Sequence, residues 1–94
     1  MRIRSFRHKG LERLYRKDDP SGLPPAAVAK LRNMFAFLDA MRTEQELRTL
    51  PHWGAHPMTG DRRGTWSLSV TRNWRLTFRV IEGELDLVNF EDYH

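Results

Sequence analysis

Hydrophobic positions follow two rhythms along this chain of 94 residues. Between Lys9 and Lys17, Leu11, Leu14 and Tyr15 recur at helical spacing, with Lys9, Arg13, Arg16 and Lys17 on the other side, which predicts a basic amphipathic helix. Asp18-Asp19-Pro20-Ser21-Gly22 has the turn chemistry to end it. Pro24 and Pro25 then suit the first turn of a second helix, where a missing N–H costs nothing. Ala27, Val28, Leu31, Met34, Phe35, Leu38 and Met41 share one arc of that helix, so it packs on a core. Thr43 followed by Glu46 has capping-box spacing and predicts a short helical turn before Leu50-Pro51.

Past this point the period becomes two. Trp66, Leu68 and Val70 alternate with polar residues, as do Trp74, Leu76, Phe78 and Val80, which predicts two half-buried strands joined at Thr71-Arg72-Asn73, where Asn73 tolerates a positive φ. A second hairpin turn at Ile81-Glu82-Gly83-Glu84 leads into Leu85 to Phe90. The apolar residues of that segment occupy both parities, the pattern of a central strand covered on both faces. Met1 to Phe6, partly β-branched, reads as an opening strand. The order predicts an α+β fold over residues 1–94, a single domain with an N-terminal strand, two helices and an antiparallel meander packed on the helices.

Charge changes this picture by being segmented. The net +4 divides into +6 over residues 1–17, −2 over 18–61, +5 over 62–79 and −5 over the remainder, and 13 of the 16 cations are Arg, whose planar fork matches phosphate oxygens. An anionic polymer is the expected partner, met by a surface formed from the two basic blocks. The absence of cysteine excludes disulfides, thiolate metal sites and a Cys nucleophile. No apolar run approaches the roughly 20 residues of a membrane span, and the basic start lacks an apolar signal core, so no membrane association and a cytoplasmic location are expected.

Candidate chemistry gathers late in the chain. His56 lies in a Pro- and Gly-containing turn, and His94 follows Glu91, Asp92 and Tyr93 just past the last strand. Arg75 is mounted on the polar parity of a strand, where its guanidinium is held more firmly than on a loop, and Arg62, Arg63 and Arg72 flank the same strands. Phosphodiester cleavage needs this inventory of a base, cations for the crowded phosphate and an acid for the leaving oxygen. RNA brings its own nucleophile in the 2′-hydroxyl, and DNA does not. His52, His56, Asp92 and His94 are zinc-ligand types, but Trp53-Gly54 and Pro57 argue against a helix through the two nearer histidines, so no metal or cofactor is expected. Trp53, Trp66, Trp74, Phe78 and Phe90 read mainly as core and not as base-stacking platforms.

Ile3-Arg4-Ser5-Phe6-Arg7-His8-Lys9-Gly10-Leu11, the stretch HPMTGDRRGTW from His56 to Trp66, the strand Asn73-Trp74-Arg75-Leu76-Thr77-Phe78 and the terminal Glu91-Asp92-Tyr93-His94 together resemble the HigB toxins of the RelE/ParE superfamily. The resemblance runs essentially end to end. It implies a RelE-like microbial RNase fold and a ribosome-dependent endoribonuclease that cuts mRNA in the A site of the 70S ribosome. It further implies a HigA-like helix-turn-helix antitoxin, with operator DNA contacted only through that antitoxin. By position, His56, Asp92, Tyr93 and His94 match the family's catalytic residues and Arg75 its phosphate-side arginine. Arg62, Arg63 and Arg72, with Lys9, Arg13, Arg16 and Lys17 of the first helix, are the expected RNA-binding cations. Thr59 stands where family members commonly have Lys, and Arg62, Arg63 or Arg72 is the expected replacement. Two other functions share this outline: a non-catalytic nucleic-acid-binding module and a ParE-like gyrase inhibitor.

Overall fold

A computed structural model describes residues 1–92. The elements run β1 (Arg2–Ile3), α1 (Lys9–Lys17), α2 (Pro25–Ala40), β2 (His56–Pro57), β3 (Thr65–Ser69), β4 (Trp74–Ile81) and β5 (Glu84–Asp92), with short 3-10 turns between α2 and β3. They form one five-stranded sheet in the order β1-β5-β4-β3-β2, in which β1 runs parallel to β5 and the remaining pairs are antiparallel.

Both helices end where local chemistry satisfies their backbone. His8 caps α1, its Nδ1 accepting from the Leu11 N–H at 3.2 Å. Burial, with the nearby Arg13 charge second, lowers the His8 pKa and favours the neutral ring that this acceptor role needs. Pro25 opens α2, and Leu31, Met34, Leu38 and Met41 are buried along its inner face as the helical arc requires. The predicted capping box is present, with Glu46 accepting from the backbone N–H of Thr43 at 2.8 Å and of Arg42 at 2.7 Å.

One face of the sheet, carrying Trp66, Leu68, Leu76, Phe78, Leu85, Val88 and Phe90, joins the helices in a single core. Burying these side chains contributes on the order of 2 kcal/mol apiece. The other face is polar, and what it carries follows from register. Three rows cross it: His56, Ser67, Thr77 and Asn89; Ser69, Arg75 and Glu91; and Thr65, Arg79 and Asp86.

Four expectations need correction. The opening strand is shorter than Met1 to Phe6: only Arg2–Ile3 pairs, with a separate bridge from Phe6 to Val88. His56 and Pro57 belong to an edge strand and not to a turn, and Pro57 is tolerated there because an edge need not donate. Positive φ in the hairpins falls on Glu82 and Gly83, the paired left-handed residues that a two-residue turn requires, and not on Asn73. Finally, β5 is central but not covered on both faces. Its mixed parity comes from a bulge: Leu87 has φ 54° and is exposed, so Leu85 and Val88, three apart, both reach the core.

Candidate active site

The polar face is open because its residues are short or charged. Thr65, Thr77 and Asn89 leave room above the strands, and the turn Gly60–Arg62 with Arg63 rises along one side. The resulting depression of about 190 Å³ is lined by Arg7, Arg62, Arg63, Arg79, Asp61, Thr65, Thr77, Leu87, Asn89 and Glu91. Gly64, at φ 91°, gives this wall its shape. A Cβ there would lie 3.3 Å from an Arg79 guanidinium nitrogen, so Gly serves both the turn and the close approach of that cation.

Glu91 organises the site. The Arg62 guanidinium donates to both its carboxylate oxygens, at 2.8 and 2.5 Å; the Thr77 hydroxyl donates to one of them, and Arg75 approaches the other at 3.5 Å. Hydrogen bonding from Arg62 is the main cause that pulls the Glu91 pKa down to about 2, opposed by burial and reinforced by Thr77 and the two arginine charges. One carboxylate on β5 thus fixes a sheet arginine, Arg75, and a loop arginine, Arg62, which reduces reorganisation when a phosphate arrives.

The sequence candidates distribute unevenly around this centre. Arg75 is half-buried on the open face between Ser69 and Glu91, as its parity requires. His56 is exposed one row away, opposite Ser67. Its Nδ1 lies 2.9 Å from the Gly54 carbonyl, which can only accept, so that nitrogen is the donor. Asp92 is exposed at the end of β5, but it pairs with Trp74 and shares the parity of Phe90, not of Glu91, while Trp74 stacks on Phe90 at 4.6 Å. Tyr93 and His94 lie outside the described residues. Arg63 reaches the depression, whereas Arg72 is exposed in the β3–β4 turn away from the residues that line it.

The two basic blocks merge only in part: Arg7 of the first joins Arg62, Arg63 and Arg79 of the second in the cleft, but the α1 cations do not. α1 buries Leu11 and Leu14 against the core face of the sheet, so Lys9, Arg13, Arg16 and Lys17 belong to the helical layer and the arginine cleft to the opposite side. Arg16 is further occupied by Glu12 at 3.0 Å and lies over the Phe6 ring. Of the three cations expected to compensate for Thr59, Arg62 is already clamped by Glu91 and Arg72 does not line the cleft, which leaves Arg63 on its wall.

Sequence reasoning missed Glu91, Thr77, Arg79 and Leu87 as site residues. Arg75, Thr77 and Arg79 do share one strand parity, a usable signal. Glu91 and Leu87 become visible only once the β4–β5 register and its bulge are known.

A mainly antiparallel sheet with helices on one face and an arginine-lined cleft on the other defines a RelE-like fold. The chain superimposes on crystalline YafQ of E. coli with a TM-score of 0.58, covering 98% of this chain and 93% of that one at 12% sequence identity. Residues 4–94 match the family described as RelE-like toxin of type II toxin-antitoxin system HigB, and the chain belongs to that family. It is 42% identical over 92 residues to the Endoribonuclease HigB of Proteus vulgaris, covering 98% of this chain and 99% of the relative. It is 30% identical over 79 residues to Toxin HigB-1 of Vibrio cholerae serotype O1, with 83% of each covered. It is thus a toxin of a type II system, a class that implies an antitoxin partner. Among the described residues no helix is long and apolar enough to cross a membrane.

Proposed function

We propose that this toxin is a ribosome-dependent endoribonuclease that cuts mRNA in the A site through attack by the RNA's own 2′-hydroxyl, so halting translation. The observation that carries this reading is the placement of Arg75 and His56 on adjacent rows of one rigid polar face, beside further arginines in a cleft open to solvent. A polyanion enters such a cleft favourably, and a guanidinium on β4 sharing a face with an imidazole two strands away on β2 gives an extended phosphodiester a cation and a proton acceptor on one surface. The endoribonuclease name of the Proteus vulgaris relative supports the same reaction class.

In this mechanism Arg75 holds the scissile phosphate and neutralises the charge that builds on its non-bridging oxygens. His56 takes the 2′-hydroxyl proton at Nε2 while Nδ1 stays bonded to the Gly54 carbonyl. The 2′-oxygen bonds to phosphorus, the bond to the 5′-oxygen breaks, and that leaving oxygen takes a proton from His94 or Tyr93. The products are a 2′,3′-cyclic phosphate and a 5′-hydroxyl end. Asp92 lies off the cleft face, so its orienting role falls on the C-terminal His94 and not on His56. The reading calls for no metal and no cofactor. The partners are a HigA-like helix-turn-helix antitoxin and the ribosome with its message, in the cytoplasm.

The test is end mapping of a message incubated with the purified protein, with and without programmed ribosomes. Cuts that appear only with ribosomes and vanish in His94→Ala and Arg75→Ala support the mechanism. Intact message in every lane, from protein that binds ribosomes, overturns it, and protein-dependent gyrase breaks in DNA would move the assignment to a ParE-like activity.

A further inference from the structure

Leu87 is the only exposed large hydrophobic side chain among the described residues, and it stands in the wall of a cleft otherwise made of charged and polar groups. It holds φ 54°, which costs an L-residue with a γ-branched side chain roughly 1–2 kcal/mol. Gly or Asn would occupy the same bulge with less strain. The backbone there is not loose: the Leu87 N–H is held by the Ser5 hydroxyl at 2.9 Å and by the Asp86 carboxylate at 3.1 Å, and Ser5 donates to that same carboxylate. A bulge fixed so firmly re-aims one side chain, and here it turns an apolar one out of the core and into the cleft.

Resting on the function proposed above, we propose that Leu87 and Asn89 form a base-binding subsite for a nucleotide flanking the cut. Leu87 supplies an apolar platform for one face of the base, and Asn89, two residues on and lining the same cleft, offers an amide that pairs with a base edge. Arg7 and Arg79 lie on the same wall, where they meet the phosphates on either side. Leu87 is four residues from Glu91, roughly 13 Å along a strand, so the subsite is offset from the scissile phosphate. An apolar platform ringed by guanidinium groups suits a nucleotide, which presents a π-face and negative charge together, better than it suits an acidic peptide, which presents no such face.

The test uses the full-length protein and programmed ribosomes carrying messages randomised around the cut. The wild type is expected to show a base preference at one position flanking the cut. Leu87→Asn, which accepts the left-handed backbone, is expected to flatten that preference and raise KM about tenfold, with kcat within about twofold and a melting temperature equal or higher. Leu87→Met, which keeps an apolar reach, retains the preference. Unchanged KM and preference in folded Leu87→Asn overturn the subsite while leaving the nuclease intact. Unchanged cleavage with weaker neutralisation by the antitoxin would also overturn it, giving Leu87 to the protein partner. A wild type that cuts nothing would overturn both readings at once.

Discussion

Arg62 and Glu91 meet fork to fork at 2.8 and 2.5 Å, tying the loop before β3 to the last strand through a pair of charge-assisted hydrogen bonds. The same carboxylate faces Arg75 at 3.5 Å, so one anion sets the position of two cations. Its linkage to stability has a definite sign. The folded pKa is lowered from 4.5 to about 2, so the contribution is fully present above about pH 4.5 and disappears as the pH falls through 2. Allowing for solvent at this partly open site, it is on the order of 2 kcal/mol. Glu91→Gln is expected to melt roughly 10 °C lower at neutral pH. That gap should close steadily between pH 4.5 and 2, which thermal melts of both proteins at a series of pH values would check.

Arg75→Ala is expected to lower kcat/KM by about 10²–10³-fold, the usual size of a lost electrostatic contact to a transition state. Arg75→Lys should recover only part of this, because an ammonium lacks the planar fork. Single-turnover cleavage on programmed ribosomes, with melting curves to verify folding, separates a lost transition-state contact from lost structure.

His56 is exposed on an edge strand, so its removal has little to cost the fold. His56→Ala is expected to change stability by no more than about 0.5 kcal/mol while lowering the cleavage rate about 10²–10⁴-fold. Equal cleavage by the variant would transfer the base role to the C-terminal residues.

The separation of α1 from the cleft predicts a kinetic split. Exchanging Lys9 and Lys17 for Glu should weaken association with ribosomes and leave the cleavage rate at saturating ribosome unchanged. Arg63→Ala, on the cleft wall, should instead weaken binding to single-stranded message and reduce the slope of log K against log salt by about 0.7. Salt titrations of ribosome binding and of oligoribonucleotide binding distinguish the two outcomes.

Much of the fold was legible in the sequence because its periodicities are local. Leu31, Leu38 and Met41 are fully buried on the arc that the helical spacing marks, and Thr43 and Glu46 form the box that their spacing announces. The polar parity of Arg75 follows from simple alternation. Glu91 was not legible in this way: an acid in an acidic tail becomes the clamp of two arginines only through a register that brings it opposite Arg75. The apolar run from Leu85 to Phe90 misled for a related reason. A bulge shifts parity by one residue, and a shifted parity is indistinguishable in sequence from a strand covered on both faces.

By itself, then, the sequence determined the two helices, the capping box, strands β3 and β4 with their inner faces, and the chemical inventory, since each depends on residues within a turn or two of one another. Only the tertiary structure decided which charges share a surface. It placed the α1 cations and the hairpin arginines on opposite sides of the sheet, because α1 must bury Leu11 and Leu14 against the apolar face. It set Arg62 and Arg75 on Glu91 and turned Leu87 outward, because strand pairing and one positive φ are properties of contacts far apart in the chain.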